Sequence, residues 1–317
     1  MSSAGQAEAP GGAGRKRLRI TVLCGGPSAE REISLQSGAA IADALRRRGH
    51  DVFVADILPD DTRALDHPAD VVFPALHGPF GEDGTVQRML AARRMPYVGS
   101  DARASAIAMD KVATKLLGVG AGIPTPRFEV WDGDTLGQRT VPDVPLPVIV
   151  KPVDQGSSVG TRVARAPADF REIVERVVTQ FGRALVEEFI TGDELTVGIV
   201  GDLTLAPVRI RTRAEFYDYQ AKYFDNTTEY LFETGLPEPV LQQARTWSRR
   251  LFDCVGCRHL ARLDWMVDRA GRLWFLEINT LPGFTSHSLV PKAAGHAGIP
   301  FDELVERLVL MALEDGV

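Results

Sequence analysis

The sequence predicts a mixed fold, in which an N-terminal α/β domain built on a parallel sheet is followed by α+β units. Three observations support this fold class. Short apolar strands alternate with helices over residues 19–98, which is typical of a parallel sheet with helices on its faces. From about Met109 this alternation stops. Residues 260–279 contain two apolar stretches around 269–272, where Gly271 suits the turn of an antiparallel hairpin.

The N-terminal elements follow one another in a regular order. We predict a strand at 19–24, a helix at 34–48, strands at 51–55 and 70–76, a helix at 87–94 and a strand at 96–98. Ligands of a parallel sheet meet the loops at the carboxyl ends of its strands. Glu30 and His77 lie in two of these loops, and they are therefore candidate ligand-binding residues.

After Met109 the sequence predicts a smaller α+β unit and then a unit that contains hairpins. The predicted elements are a helix at 110–117, a strand at 144–150, a helix at 168–181, a strand at 184–190, a hairpin at 194–210, a helix at 239–253, the hairpin at 260–279 and a helix at 301–313. Residues 211–233 are polar and aromatic without a clear period, which predicts a long functional loop. We expect a disordered tail at 1–15 and domains at 16–111, 112–190 and 191–317.

The composition indicates a globular protein of the cytoplasm. The formal net charge of −6 argues against nucleic acid and anionic membranes as partners. No apolar run in the sequence approaches the ~20 residues that span a bilayer. The three cysteines, Cys24, Cys254 and Cys257, are sparse and odd in number, which indicates a reducing compartment. Cys254 and Cys257 have the C-x-x-C spacing without a second pair at zinc spacing, so we expect core thiols.

One face of the predicted hairpin carries chemistry. Closing the turn at 269–272 places Asp264 opposite Glu277, and Arg262 opposite Asn279, and side-chain alternation puts these four on one face. The other face is apolar and is predicted to be core: Ala261, Leu263, Trp265, Val267, Trp274, Leu276 and Ile278. Opposed carboxylates repel unless a proton, solvent or a cation intervenes. With the Asn279 oxygen, a Mg²⁺ site fits best, and a solvated polar face is the alternative.

Two segments are candidates for binding a nucleotide. The loop 156–160 follows Lys151 and a predicted strand, and its glycines and serines can offer N–H and hydroxyl donors to phosphate. A flexible hairpin tip is the alternative for this loop. Residues 187–190 can offer backbone groups to an adenine edge, with Glu194 nearby for ribose hydroxyls. The alternative for this segment is an exposed strand end.

Three lysines and an aromatic loop complete the candidate residues. Lys111, Lys151 and Lys222 flank these segments, and phosphoryl transfer needs such cations around the phosphates, although each lysine alone is equally consistent with surface charge. Residues 216–223 are dense in tyrosine. This pattern is typical of a mobile lid that excludes water, or of a loop anchored by aromatic packing.

Together these segments resemble the ATP-grasp enzymes, and specifically the D-alanine–D-alanine ligase family. The resemblance runs from about residue 18 to the C-terminus and rests on motifs at Gly25–Ser34, Ala75–Gly78, Gly81–Gly84, Tyr97–Ser100, Met109–Lys111, Val150–Pro152, Gly156–Gly160, Phe216–Tyr223, Arg262–Asp264, Glu277–Asn279 and Pro282–Pro291. Pro27, Phe189 and Leu281 stand where relatives often carry other residues. The resemblance implies an ATP-grasp fold preceded by a Rossmann-like domain.

The resemblance implies that ATP lies between the central and C-terminal domains. It assigns the phosphates to Lys111, Lys151, Ser158 and Lys222, the adenosine to Glu187, the backbones of Glu188 and Ile190, and Glu194, and two Mg²⁺ (or Mn²⁺) to Asp264, Glu277 and Asn279. It leaves activation by a monovalent cation open, and it suggests a homodimer.

The implied reaction joins two D-alanines. The carboxylate of the first attacks the γ-phosphate of ATP, and the amine of the second attacks the acyl phosphate that results. The implied residues are Glu30 for the first ammonium group, His77 near the first carboxylate, Arg262 and the Gly283 N–H for the oxyanion, Ser288 and Leu289 for the second carboxylate, and Ser157 and Tyr223 with Glu30 for locking the lid. Arg262 lies one pleat away from the metal ligands and is expected to be free for the oxyanion.

Three other assignments stay open on the sequence alone. They are a D-alanine–D-lactate ligase, an ATP-grasp ligase for other amino acids or peptides, and an ATP-binding protein that has lost catalysis. The pair Lys222-Tyr223 favours dipeptide formation over the first. Glu30, His77 and the Ser288-Leu289 pair suit small amino acids and argue against the second. Binding alone does not need Arg262, whose presence argues against the third.

Overall fold

The N-terminal unit is built on a parallel sheet, as predicted. The computed structural model describes residues 16–212 and 228–316. The elements of its first unit are β1 (Arg19–Cys24), α1 (Arg31–Arg47), β2 (Asp51–Asp56), β3 (Val71–Pro74) and α2 (Thr85–Ala92). The three strands are parallel in the order β2-β1-β3. The predicted strand at 96–98 pairs only through one bridge, between Val72 and Tyr97.

The central unit is an antiparallel sheet of four strands. Its elements are α3 (Ala102–Met109), α4 (Lys111–Gly120), β4 (Phe128–Trp131), α5 (Gly133–Gln138), β5 (Val148–Pro152), β6 (Arg162–Ala164), α6 (Pro167–Phe181) and β7 (Ala184–Glu188). The strand order is β4-β7-β5-β6. Sequence prediction missed α3, β4, α5 and β6, because each has eight residues or fewer and shows too little of a period. Asp110 caps α4 by accepting from the Val112 N–H at 2.9 Å, which fixes Lys111 at the start of the helix.

The C-terminal unit is a second antiparallel sheet covered by helices. Its elements are β8 (Gly192–Val200), β9 (Leu203–Thr204), β10 (Val208–Arg211), β11 (Glu229–Leu231), α7 (Glu238–Val255), β12 (Leu260–Asp268), β13 (Leu273–Asn279), α8 (Leu289–His296) and α9 (Phe301–Asp315). The main order is β11-β10-β8-β12-β13, with β9 also paired to β8. The single predicted strand at 203–210 is therefore wrong, because it is two strands, and β11 and α8 were not predicted.

The hairpin at 260–279 has the predicted bounds but contains a β-bulge. Asp264 pairs with Glu277, and Arg262 pairs with Asn279, as predicted, but the register shifts after Asp264 so that Trp265 pairs with Phe275. An extra residue on one strand moves the following side chains to the other face.

The bulge makes part of the predicted hairpin core wrong. Trp274 and Leu276 are only half-buried, whereas Leu273 and Phe275 are fully buried in their place. Leu276 faces the neighbouring cavity instead of the core.

The N-terminal and C-terminal units share one hydrophobic core. The ring of Phe284 packs edge to face on Phe73 of β3, with centroids 5.6 Å apart, and lies 6.1 Å from the ring of Phe301 in α9. The central unit has its own core, in which Trp131 and Phe170 pack edge to face at 5.0 Å. The helices within 16–212 and 228–316 are all too short or too polar to cross a bilayer. The domain boundaries given above stay a prediction.

Candidate active site

Two adjoining cavities lie between the central and C-terminal sheets. The larger has a volume of about 300 Å³ and is lined by residues of β5, β7, β8, β12 and β13. The smaller has a volume of about 40 Å³ and is lined by residues that include Glu82, Ser157 and Arg262. Lys111 and Glu277 line both cavities. The two cavities are therefore parts of one site.

Most of the predicted site residues lie on these two cavities. The larger is lined by Lys111, Lys151, Ser158, Glu187, Glu188, Ile190, Glu194, Asp264 and Glu277. The smaller adds Ser157, Arg262 and Asn279. Five predicted residues line neither cavity: Glu30, His77, Gly283, Ser288 and Leu289. Lys222 and Tyr223 lie outside the described residues.

The polar face of the hairpin carries two carboxylates that each contact a cation. Arg262 Nη2 lies 2.8 Å from Asp264 Oδ2, and Arg262 Nε donates to Asp264 Oδ1 at 3.0 Å. Lys111 Nζ lies 3.5 Å from Glu277. Arg262 contacts Asp264 because residues two apart on one strand face are neighbours, and its role at the oxyanion stays a prediction.

The same face has the composition of an oxygen-ligand metal site. Thr196 Oγ1 donates to Asp264 at 2.6 Å, and Asn279 Oδ1 accepts from the Leu281 N–H at 2.9 Å. These bonds orient the two side chains and leave further lone pairs on their oxygens. Within the described parts of the chain, no three His, Cys, Asp or Glu side chains converge. Two carboxylates and an amide oxygen suit Mg²⁺, which usually also takes phosphate and water ligands.

A buried cluster of one glutamate and two lysines lies behind the larger cavity. Glu187 pairs with Lys115 at 2.8 Å and also with Lys151. Lys115 is fully buried and also contacts Thr125 Oγ1 at 2.7 Å. Burial lowers the pKa of Lys115 to about 8, against the raising effect of Glu187. Burial opposes charge on Glu187 too, but the two lysines hold its pKa below the usual value, so the cluster is an ionic one.

The sequence-based prediction did not include Lys115. It lies one helical turn after Lys111 in α4, on the side that packs against β13. The spacing of one helical turn from Lys111 was the sequence feature that could have identified Lys115.

The end of β7 offers backbone groups to the larger cavity. The Glu188 N–H donates to the Arg127 carbonyl at 2.8 Å, so this residue can offer a ligand only its carbonyl. Ile190 lies beyond the last paired residue of β7. Across the cavity, Met266 and Leu276 form an apolar surface, and Leu276 takes that position because of the bulge.

Ser157 connects the smaller cavity to Glu30 of the N-terminal unit. Ser157 Oγ donates to Glu30, which joins the loop before α1 to the loop 156–160. Ser157 and Ser158 have φ of +48° and +58°, in the left-handed region that L residues rarely adopt. Such strain is often found at functional sites.

The buried His77 ring lies near Glu30 and has an acceptor nitrogen that no described residue contacts. Its Nδ1 lies 3.1 Å from the Leu281 carbonyl, so Nδ1 carries the proton. Burial lowers the pKa of His77, and its Nε2 has no partner among the residues that the structure describes. A bare Nε2 accepts a hydrogen bond, which suits an N–H donor better than a carboxylate.

Glu82, which sequence reasoning missed, is an acid that lines the smaller cavity. It is buried, and its Oε2 accepts from the Gly78 N–H at 2.7 Å. Burial and the nearby Glu30 raise the pKa of Glu82 to about 8. Its only sequence signal was its place in the motif Gly81–Gly84.

The loop after β13 holds the remaining predicted residues. A methyl group on Gly283 would lie 2.8 Å from Ser288 Oγ, so these residues are adjacent. Ser288 Oγ accepts from the Thr285 N–H at 2.9 Å and precedes α8, which begins at Leu289. The Phe284 N–H donates to Ser37 Oγ of α1 at 3.2 Å. The loop is thus tied to the N-terminal unit.

Two family models match the chain. The model described as "D-ala D-ala ligase N-terminus" matches residues 55–100, and the model described as "D-ala D-ala ligase C-terminus" matches residues 119–310. A D-alanine–D-alanine ligase B of Chromobacterium violaceum is 43% identical over 287 residues, which cover 90% of this chain and 95% of the relative. A D-alanine–D-alanine ligase of Marinobacter nauticus is 42% identical over 300 residues, covering 94% and 92%.

Solved structures of similar chains cover all three units. The D-alanine–D-alanine ligase from Bacillus anthracis complexed with ATP aligns with a TM-score of 0.78 and 29% identity, over 94% of this chain and 98% of that chain. The VanG D-Ala:D-Ser ligase from Enterococcus faecalis aligns with a TM-score of 0.82 and 25% identity, over 94% of this chain and 100% of that chain. These two structures therefore share the fold although their names give different second substrates.

Proposed function

The chain belongs to the D-alanine–D-alanine ligase family, and we propose that it joins two D-alanines into D-alanyl-D-alanine while ATP is converted into ADP and phosphate. It is an ATP-grasp ligase. The observation that carries the proposal is the lining shared by the two cavities. Because Lys111 and Glu277 face both, a phosphate in the larger cavity would meet a substrate carboxylate in the smaller one.

The larger cavity suits ATP, which is present in the Bacillus anthracis complex. Lys111, Lys151 and Ser158 supply donors for the phosphates, and cations around phosphates are the main requirement of phosphoryl transfer. The apolar surface of Met266 and Leu276 suits an adenine ring. The carbonyl of Glu188 and the backbone of Ile190 would bind the ring edge, and Glu194 would bind the ribose.

Glu187 would act on the nucleotide mainly through Lys151. Both of its carboxylate oxygens face a lysine, one facing Lys115 and the other facing Lys151. This arrangement supports a role in holding Lys151 at the cavity wall, in addition to any contact with adenine.

Asp264, Glu277 and Asn279 would hold Mg²⁺ (or Mn²⁺) beside the phosphates. Asp264 lies opposite Glu277 on the hairpin, with Asn279 two residues further along the same strand as Glu277. The cations Arg262 and Lys111 contact the two carboxylates. These contacts support the view that the two carboxylates need positive charge beside them. When bound, the metal ions would supply positive charge that offsets the negative charge developing during phosphoryl transfer.

The smaller cavity would hold the first D-alanine. Glu30 would pair with the ammonium group of this D-alanine, and His77 would lie beside the bound amino acid. Arg262 and the Gly283 N–H would stabilise the oxyanion as the second amine attacks, and Ser288 with Leu289 would bind the second carboxylate. Water would hydrolyse the acyl phosphate. We therefore propose a water-excluding role for residues 216–223 with Lys222 and Tyr223, which lie outside the described residues, and for Ser157.

The proposal is tested by phosphate release from ATP with D-alanine and with L-alanine as the only amino acid. We expect rapid release with D-alanine and little with L-alanine, and a dipeptide of the mass of alanyl-alanine as product. Equal rates with both enantiomers, or release with neither, would contradict the assignment. The same assay with and without added Mg²⁺ tests the metal.

The second substrate needs its own experiment, because a relative of the same fold is named a D-Ala:D-Ser ligase. The enzyme is given D-alanine, D-serine and D-lactate together over a range of pH, and the products are separated by mass. We expect D-alanyl-D-alanine to dominate near neutral pH. A dominant ester product there would favour the D-alanine–D-lactate alternative.

We further propose that the enzyme makes a peptidoglycan precursor in the cytoplasm. Its three cysteines are all unpaired, which supports a reducing compartment. A homodimer stays a prediction, and light scattering of the purified protein would test it.

A further inference from the structure

Glu82 is a buried acid to which the proposed reaction gives no role. Glu82 is 6% exposed, and its Oε2 accepts a hydrogen bond from the Gly78 N–H. Its Oε1 is buried without a hydrogen-bond partner in the described part of the chain. A buried oxygen without a partner is costly, so a group that fills the cavity and contacts this oxygen would be favoured.

Glu82 shares its surroundings with Glu30. A methyl group on Gly156 would lie 2.9 Å from Glu30 Oε2 and 3.8 Å from Glu82 Oε2, so the two acids lie against the same stretch of backbone. A methyl group on Gly78 would also lie 3.3 Å from Glu30 Oε2. Two buried carboxyl groups that lie close together do not both ionise easily without a cation.

The cations near Glu82 are already engaged by other acids. Arg262 of β12 and Lys111 of α4 act on Glu82 electrostatically, but Arg262 is paired with Asp264 and Lys111 with Glu277. His77, which precedes Gly78, is neutral because burial lowers its pKa. The main charged neighbour is therefore Glu30, and together with burial it raises the pKa of Glu82 to about 8.

We propose that Glu82 carries a proton in the substrate-free site and releases it when the ammonium group of the first amino acid enters beside Glu82 and Glu30. The O–H bond of Glu82 breaks, the proton passes to solvent, and the new carboxylate pairs with the ammonium group. Glu82 is thus a substrate-binding acid that couples binding to proton release. The inference rests on the proposed function, since it takes D-alanine as the first substrate.

The coupling makes substrate affinity depend on pH. Below about pH 8 binding must displace a proton, whereas above that pH the carboxylate is already formed. The affinity should therefore rise about tenfold between pH 7 and pH 9. The release should be nearly one proton per D-alanine at pH 7 and should fall toward zero at pH 9.

Calorimetric titration of the MgADP-bound enzyme with D-alanine, in buffers of different ionisation enthalpy, counts the protons released. Glu82→Gln keeps an oxygen to accept from the Gly78 N–H but cannot titrate, so it should release none of these protons and bind with an affinity that does not change with pH. Glu172→Gln, an exposed glutamate of α6, is the control and should behave as the wild type.

Two results would overturn the inference while leaving the proposed function intact. One is D-alanine binding to the wild type without proton release, and the other is equal release by Glu82→Gln. If D-alanine binds neither protein, both the inference and the proposed function are wrong.

A measurement without substrate tests the protonated state by itself. A carboxyl whose pKa is raised on folding adds stability that is complete below its unfolded pKa and is lost as pH rises toward its folded pKa. The melting temperature of Glu82→Gln should therefore rise relative to that of the wild type between pH 5 and pH 8. A constant difference across this range would show that Glu82 is not protonated in the folded enzyme.

Discussion

Arg262 has two candidate partners in the site, and this determines what its substitution should reveal. In the structure its guanidinium contacts both oxygens of Asp264. The proposed reaction needs the same group at the oxyanion. A planar guanidinium can donate on two edges, so one edge can stay on Asp264 while the other faces the smaller cavity, which Arg262 lines.

Arg262→Lys should lower kcat by about 10²–10³-fold while changing the KM for ATP little. Lysine keeps the charge beside Asp264 but loses the second donor edge, and the loss of one oxyanion donor has about this effect. Steady-state phosphate release with D-alanine measures both constants. Arg307→Lys, at an exposed arginine of α9 paired with Glu303, is the control.

The opposite pattern would assign Arg262 to nucleotide binding. If kcat is retained and the KM for ATP rises, the residue contributes equally to ground state and transition state. Its contact with Asp264 would then be its main function.

Single residues show where sequence reasoning stops. Asp264, Glu277 and Asn279 could be singled out because polar residues on a strand stand out from their apolar neighbours. Glu82 and Lys115 had only weak sequence signals and were missed, because a charged residue in a loop or on a helix is usually exposed. The buried Glu82 accepts a hydrogen bond from the Gly78 N–H within its own folded loop. The buried Lys115 pairs with Glu187, which is distant in sequence.

The bulge in the hairpin of β12 and β13 places two neighbouring residues in different surroundings. Phe275 is fully buried and packs edge to face on Trp265 with centroids 5.4 Å apart. Leu276, the next residue, lines the larger cavity beside Met266. Without the bulge, Leu276 would face the core and Phe275 the nucleotide.

The two neighbours should respond differently to truncation. Phe275→Ala should lower the free energy of unfolding by about 3–5 kcal/mol, as large buried aromatics do. Leu276→Ala should have a much smaller effect on stability and should raise the KM for ATP by up to about tenfold, because part of an apolar contact with the nucleotide is lost. Urea denaturation and steady-state kinetics measure the two effects, and a larger loss of stability in Leu276→Ala than in Phe275→Ala would be inconsistent with the bulge.

At the level of elements, the sequence predicted those features that depend on the local residue pattern. The bounds of β12 and β13 follow from alternation and from the turn at Gly271, and they are as predicted. The register shift after Asp264 depends on how β12 and β13 pack as part of the sheet, which a single hairpin pattern does not contain. The short elements β4, β6 and α5 form because longer neighbours such as β5, β7 and α6 pair with or pack on them.

At the scale of the whole molecule, the first and last thirds of the chain share a core. The cluster of buried residues joins strands of the N-terminal sheet to α8 and α9. Arg48, which directly follows α1, also pairs with the buried Glu306 of α9. Segments that share a core tend to open together, so we expect these two units to unfold as one block and the central unit to be able to open separately.

A pair of matched phenylalanine substitutions tests this expectation. Phe284→Ala removes the ring that packs on Phe73 and Phe301, and Phe170→Ala removes the ring that packs on Trp131 in the central core. Both residues are buried, so each change should remove about 3–5 kcal/mol from its own block. Native-state hydrogen exchange, read on peptides from β1, β7 and α9, reports the blocks separately.

The expected pattern is reciprocal because the rings belong to different cores. Phe284→Ala should reduce the protection of β1 and α9 together and spare β7, whereas Phe170→Ala should reduce the protection of β7 and spare the other two. Loss of protection in β1 without α9 would mean that the N-terminal unit opens alone despite the shared ring cluster. Equal losses everywhere in both variants would mean that the chain unfolds as one unit, and the nucleotide cavity between the sheets could then open only by global unfolding.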